Sequence, residues 1–275
     1  ASYFDATGGP ILYTWTAFGP FVGFQTGWIL YVGRATSIAA NVNLLAAYLG
    51  SLIPGADVGP GRLAVLILTV VVFTAINFVG VKSSVGTIAA ITILKLAPLV
   101  VLVFVGVTWI RGEAVVPDGL PSYSSFGEAM LLIVYAFIGF EGALIPAGET
   151  RQPERSIPIA LIVTGLATTV LYVLVQSVAA SVLPDLASSK RPLADAAGAI
   201  FGTVGILAIT VAAAVSILGN TAASMLTAPR MTYAMARYGT LPSPLAAVHE
   251  RFLTPHVSIL LYGVLSLSLA LSGTF

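Results

Sequence analysis

Three ionisable side chains stand well inside long apolar runs of this sequence: Arg34, Lys95 and Glu141. A charge at bilayer depth costs at least about 2.5 kcal/mol on insertion scales, so such groups face a protein interior or a water-filled cavity. Glu141 lies in Gly139-Phe140-Glu141-Gly142, in the middle of the run Phe126–Ala147, with Pro146 just beyond. The two glycines and the proline weaken a helix there. The expected arrangement is a broken helix whose unpaired backbone groups line a cavity, the setting in which irregular backbone exists at membrane depth. Glu141 then reads as a protonation switch, loading and releasing a proton as the cavity opens and closes, or as a structural carboxylate that accepts hydrogen bonds from a neighbouring helix.

Lys95 sits in Ile93-Leu94-Lys95-Leu96-Ala97-Pro98, too deep for easy snorkelling. It can stand in for a bound cation, donating to carbonyls freed at a helix break, or cycle a proton, or act as a static tether. Arg34 does not readily give up its proton, so it reads as a partner for a carboxylate or for backbone carbonyls. Ser37 and Asn41 share a helix face, and Asn220 and Thr221 sit inside a later run. Each of these four can touch a polar ligand or serve as interhelical glue. Tyr135 and Phe137 precede the break and either cap a ligand or pack. Gly19, Gly23, Gly27 and Gly33 read as close-packing positions.

The elements that must hold these groups are membrane helices. The chain has 275 residues, 57% hydrophobic and 8% charged, with a mean hydropathy of +0.99. A soluble domain carries roughly 25% charged residues. Seven apolar segments cover about 21–53, 63–79, 85–110, 126–147, 157–183, 199–228 and 255–275. The runs are continuous and do not alternate, which excludes a β-barrel. The stretch from Ala1 to Gly19 reads as a loop, and Pro184–Gly198 as a connection. The connections Gly80–Ser84, Gly148–Ser156 and Pro229–Thr254 hold six basic residues, against four in the other set, which places the first set in the cytoplasm.

Composition also excludes. A net charge of +1 lacks the clustered basic footprint of a nucleic-acid binder. With no cysteine and only His249 and His256, neither a metal site nor a cofactor is expected. An enzyme is not expected either, since the spans hold no paired carboxylate or Ser/His arrangement. The start at Ala1 and the stop at Phe275, inside an apolar run, lead to the expectation of a fragment cut from a longer polytopic chain.

Five stretches carry a resemblance: GGPILYTWTAFGPFVGFQTGW (8–28), NFVGVKSS (77–84), TILKLAPL (92–99), FIGFEGALIPAGETRQPERSIPIAL (137–161) and PRMTYAMARYGTLPSPLAAVHERFLTP (229–255). In order and spacing the chain resembles an amino acid permease of the amino acid–polyamine–organocation (APC) superfamily. The resemblance implies an all-α polytopic bundle with two inverted five-helix repeats and a discontinuous sixth helix. On that template residues 1–275 form one transporter domain covering helices 3 to 9, incomplete because helices 1, 2 and 10 to 12 are absent. It implies that Lys95 stands where sodium binds in sodium-coupled relatives. It implies that Glu141 matches the glutamate linking pH to gating in the arginine/agmatine exchangers. Tyr135 falls at their aromatic lid, carbonyls near Phe137, Ile138 and Gly139 take the substrate ammonium beside Phe140, and Asn41 and Asn220 form walls of the site.

The activity implied is secondary active transport of an amino acid across a bacterial plasma membrane, by proton symport or exchange, with the amino acid, protons and the lipid bilayer as partners. Half-helix N-termini suit a carboxylate, and carbonyls at half-helix C-termini suit an ammonium. Glu141 is the one acidic residue in mid-span, which favours neutral substrates. The alternative is a membrane-embedded sensor or partner subunit that binds an amino acid without translocating it.

Overall fold

The computed structural model describes residues 9–80, 85–115, 119, 121–139, 152–189 and 191–273. Among them the regular structure is helical, with no strand. The helices are α1 (Gly9–Phe18), α2 (Pro20–Gly50), α3 (Gly59–Val79), α4 (Val85–Gly106), α5 (Gly112–Val115), α6 (Tyr123–Phe137), α7 (Pro153–Val182), α8 (Pro192–Phe201), α9 (Thr203–Arg237) and α10 (His256–Ser272). Four described segments are long and apolar enough to cross a bilayer: Gly59–Val79, Thr92–Trp109, Glu154–Val182 and Thr203–Arg237. Their large apolar side chains point outward, Leu68 at 65% and Phe104 at 80% exposure, as lipid-facing positions do. The chain is an integral membrane protein.

Two expected irregular stretches wind into helices. Within the expected loop 1–19, residues 9–18 form α1, because Gly9-Pro10 and Gly19 punctuate the ends of ILYTWTAF without breaking it. Gly19, at φ +86°, makes the turn into α2. Within the expected connection 184–198, α8 begins with Pro192 at its first turn and Asp195 close behind, both suited to a helix N-terminus. Gly202, at φ +66°, then separates α8 from α9.

The chain divides into two compact units, Ala1–Thr26 with Gly106–Val182, and Gly27–Val105 with Leu183–Phe275. In the first, Trp15 lies against Gly23, where a Cβ would meet the Trp15 Cβ at 2.8 Å. Gly23 is thus a close-packing position, whereas Gly33 has open space around it, against expectation. α7 packs on α5 and on the 107–109 turn, and the Arg111 amide donates to Ser181 Oγ at 3.0 Å.

The second unit is built around one face of α2. Tyr31, Ala35, Ile38, Ala39 and Val42 recur at helical spacing and pack with Leu66 and Val70 of α3, Met225 and Ala228 of α9, and Tyr262 and Ala270 of α10. Lipid is as apolar as these side chains, so close packing and polar ties must hold the helices together. At Gly263 on α10, a Cβ would lie 2.6 Å from Thr74 Oγ1 on α3. Asn43 on α2 donates to the Ala270 carbonyl at 3.1 Å and accepts from Arg62 Nη2 at 2.7 Å and Nε at 3.2 Å. Ala270 is in the last turn of α10, where carbonyls lack helical partners. Thr254 donates to the Phe78 carbonyl at 2.7 Å, fastening the α9–α10 connection to the end of α3.

The helix α9 runs past the expected end near residue 228 to Arg237, through Pro229. A proline has no N–H for the carbonyl four residues back, here Met225. Asn77 Nδ2 of α3 donates to that carbonyl, so the helix continues.

Candidate functional site

The helix α6 starts at Ser122, whose side chain accepts from the Ser125 amide at 3.2 Å, and stops at Phe137. Ile138 is extended (φ −62°, ψ 138°) and Gly139 has φ +120°, a region that side-chain-bearing residues rarely adopt. The winding therefore ends about halfway through the apolar run Phe126–Ala147. Phe140, Glu141 and Gly142 lie outside the described residues, as does the rest of that run, and the next described helix begins at Pro153.

A helix end leaves its last four carbonyls without helical partners and carries a partial negative charge. At α6 the Tyr135 carbonyl takes the Ile138 amide at 3.2 Å. The Ala136 carbonyl takes the Tyr172 hydroxyl of α7 at 3.1 Å, and the Phe137 ring meets Tyr172 edge-on at 5.5 Å. Tyr172 thus props the point where the helix stops. Sequence reasoning missed it, since a tyrosine inside an apolar run gives no local sign of a partner 36 residues away. Tyr135 and Ile138 are exposed, Phe137 half-buried. This end can offer partial negative charge to a cationic group such as an ammonium.

The remaining expected residues belong to the second unit. Lys95 is half-buried on α4, beside the Leu94 carbonyl that Pro98 leaves without a helical donor. Asn41 on α2 keeps its Nδ2 buried with no hydrogen-bond partner among the described residues. Asn220 on α9 is exposed, while its neighbour Thr221 is fully buried, its hydroxyl without a partner among the described residues. Arg34 donates from Nη1 to Thr227 Oγ1 of α9 at 3.4 Å. The structure brings Tyr135, Phe137, Ile138 and Gly139 together at one helix end and sets Asn41 and Asn220 in different environments.

The family model described as amino acid permease matches residues 1–274. Uncharacterized transporters of Mycobacterium tuberculosis and Mycobacterium bovis are each 31% identical over 277 residues, covering 98% of this chain and 60% of theirs. A methylthioribose transporter of Bacillus subtilis is 25% identical over 293 residues, covering 98% of this chain and 62% of its own. The chain thus spans about three fifths of the length of these curated relatives.

Proposed function

The chain belongs to the amino acid permease family, and on that premise we propose that the whole protein is a secondary transporter of a small polar solute, an amino acid, in a bacterial plasma membrane. The observation that carries this reading is the end of α6 at Phe137, inside an apolar run, followed by extended Ile138 and Gly139 at positive φ. Backbone carbonyls at such a helix end suit a substrate ammonium. In this reading Tyr135 and Phe137 cover the substrate, with Phe140 beside them. Asn41 and Asn220 supply walls, Lys95 occupies a cation position, and Glu141 couples proton uptake to access, by symport or exchange. The bacterial relatives support the plasma-membrane location.

A second reading comes from the Bacillus subtilis relative, named for methylthioribose. An uncharged thio-sugar has no ammonium, so it would use the carbonyls as acceptors for hydroxyl donors. The test is uptake by the full-length protein in proteoliposomes, with a panel of radiolabelled amino acids and methylthioribose, with and without a pH gradient. Uptake or exchange of an amino acid is expected. Uptake of methylthioribose alone selects the second reading, and no uptake or exchange of either class removes both.

A further inference from the structure

We propose that the cleft between α3 and α10 of the second unit binds an anionic phospholipid, with an acyl chain in the cleft and the phosphate at Arg251. The cleft has a volume of about 430 Å³. Val71, Val79, Leu260 and Val264 form its exposed rim. Thr74 carries the one hydroxyl among the described lining residues, and it donates to the Val70 carbonyl at 2.7 Å. No proton is left there for a polar ligand. In a membrane a packing helix is held by small residues and polar ties. A rim of valine and leucine with a spent hydroxyl suits a hydrocarbon chain instead.

The headgroup is selected at the end of the cleft where α3 stops and α10 starts. Phe78 lines the cleft there, and its ring meets His249 at 5.3 Å and Phe252 at 5.9 Å. The Arg251 guanidinium lies over the Phe252 ring, 5.4 Å from its centroid. Apolar surface thus leads from the cleft to an exposed cation. Glu250 is the neighbouring acid and is also exposed, yet Arg251 forms no ion pair with it among the described residues. His249 Nδ1 accepts from the Arg251 and Phe252 amides at 3.2 and 3.4 Å, so Nε2 carries the ring proton and can donate. α10 begins at His256 with no side-chain cap, and its first amides add partial positive charge at the same end. A phosphate monoanion accepts from a guanidinium and from ring and backbone N–H groups together. A zwitterionic headgroup offers the same phosphate but sets its own cation against Arg251. The basic bias of the connections assigns this end to the cytoplasmic face, where anionic lipid sets a negative surface potential.

The test places the full-length protein in phosphatidylcholine vesicles that hold a trace of photoreactive phosphatidylglycerol or photoreactive phosphatidylcholine. Each probe carries its diazirine on the acyl chain, and adducts are mapped by mass spectrometry. The phosphatidylglycerol probe should label residues 70–79 and 260–267 several-fold more than the phosphatidylcholine probe. Arg251→Gln should bring that ratio close to one. Val264→Trp fills the cleft and should cut labelling by both probes several-fold. Equal labelling by the two probes in the wild type overturns the site, since it marks ordinary lipid contact. No labelling overturns it too, because another part of the protein then covers the cleft. A wild-type ratio in Arg251→Gln also overturns it. Arg251 and Val264 are both exposed, so folding should survive the changes, and the wild-type ratio decides the matter even where a variant does not fold.

Discussion

Asn77 of α3 donates its side-chain amide to the Met225 carbonyl of α9, the acceptor that Pro229 leaves open. Asn77 is 7% exposed, so no bulk water replaces it. Asn77→Leu should destabilise the protein by about 1–3 kcal/mol, the cost of a stranded buried carbonyl. Thermal unfolding in detergent reads this. Pro229→Ala restores the helical N–H, so the double variant should lose clearly less than the two single losses combined. Strict additivity would refute the pairing.

Asn43 joins three helices, giving its amide to Ala270 and its oxygen to Arg62. Asn43→Ala removes both and should cost about 1–3 kcal/mol. Arg62→Lys keeps the charge and loses the two-nitrogen contact, so its loss should be smaller. Unfolding midpoints of the two variants give the order; an inverted order counts against Asn43 as the hub.

Gly263→Val would drive a branched side chain into Thr74 and push α3 and α10 apart. A strong loss of folded protein is expected, measured by size-exclusion chromatography. Thr74→Ala removes the two nearest atoms and should recover part of it. No recovery would place the strain elsewhere.

Gly139→Ala installs a Cβ at φ +120° and should cost about 1–3 kcal/mol locally. Uptake should fall sharply while the purified protein stays monodisperse. Tyr172→Phe keeps the ring against Phe137 and removes the hydroxyl on the Ala136 carbonyl. The expected effect is weaker substrate affinity with modest change in stability. Wild-type uptake in both variants would deny the end of α6 a role.

Glu141→Gln should flatten the pH profile of uptake. Lys95→Met should impair proton-driven uptake more than exchange without a gradient. Proteoliposome assays across pH separate the two. Wild-type profiles in both would assign proton coupling elsewhere.

Helicity was legible because a continuous apolar run of this length winds into a helix, and α3, α4, α7 and α10 begin and end close to the bounds of such runs. The small helices α1 and α8 were not, since glycine and proline mark where an element stops without saying whether the residues between them wind. The end of α6 was readable within a few residues of Gly139. The buried pairings were not. α9 is apolar around most of its circumference, so its sequence does not reveal that Thr221 turns inward and Asn220 outward. Tyr31, Tyr262 and Asn77 gain their meaning from partners on other helices, which local spacing does not encode.

The abrupt stop of α6 bears on how selectivity could be engineered. Peptide oxygens neither gain nor lose a proton near neutrality, so attraction owed to them persists unchanged from acid to alkali. No codon removes them either. If substrate binds there as proposed, weakening that grip calls for an amide-to-ester replacement in the main chain, and side-chain libraries around the stop would alter shape and access while leaving its polarity intact.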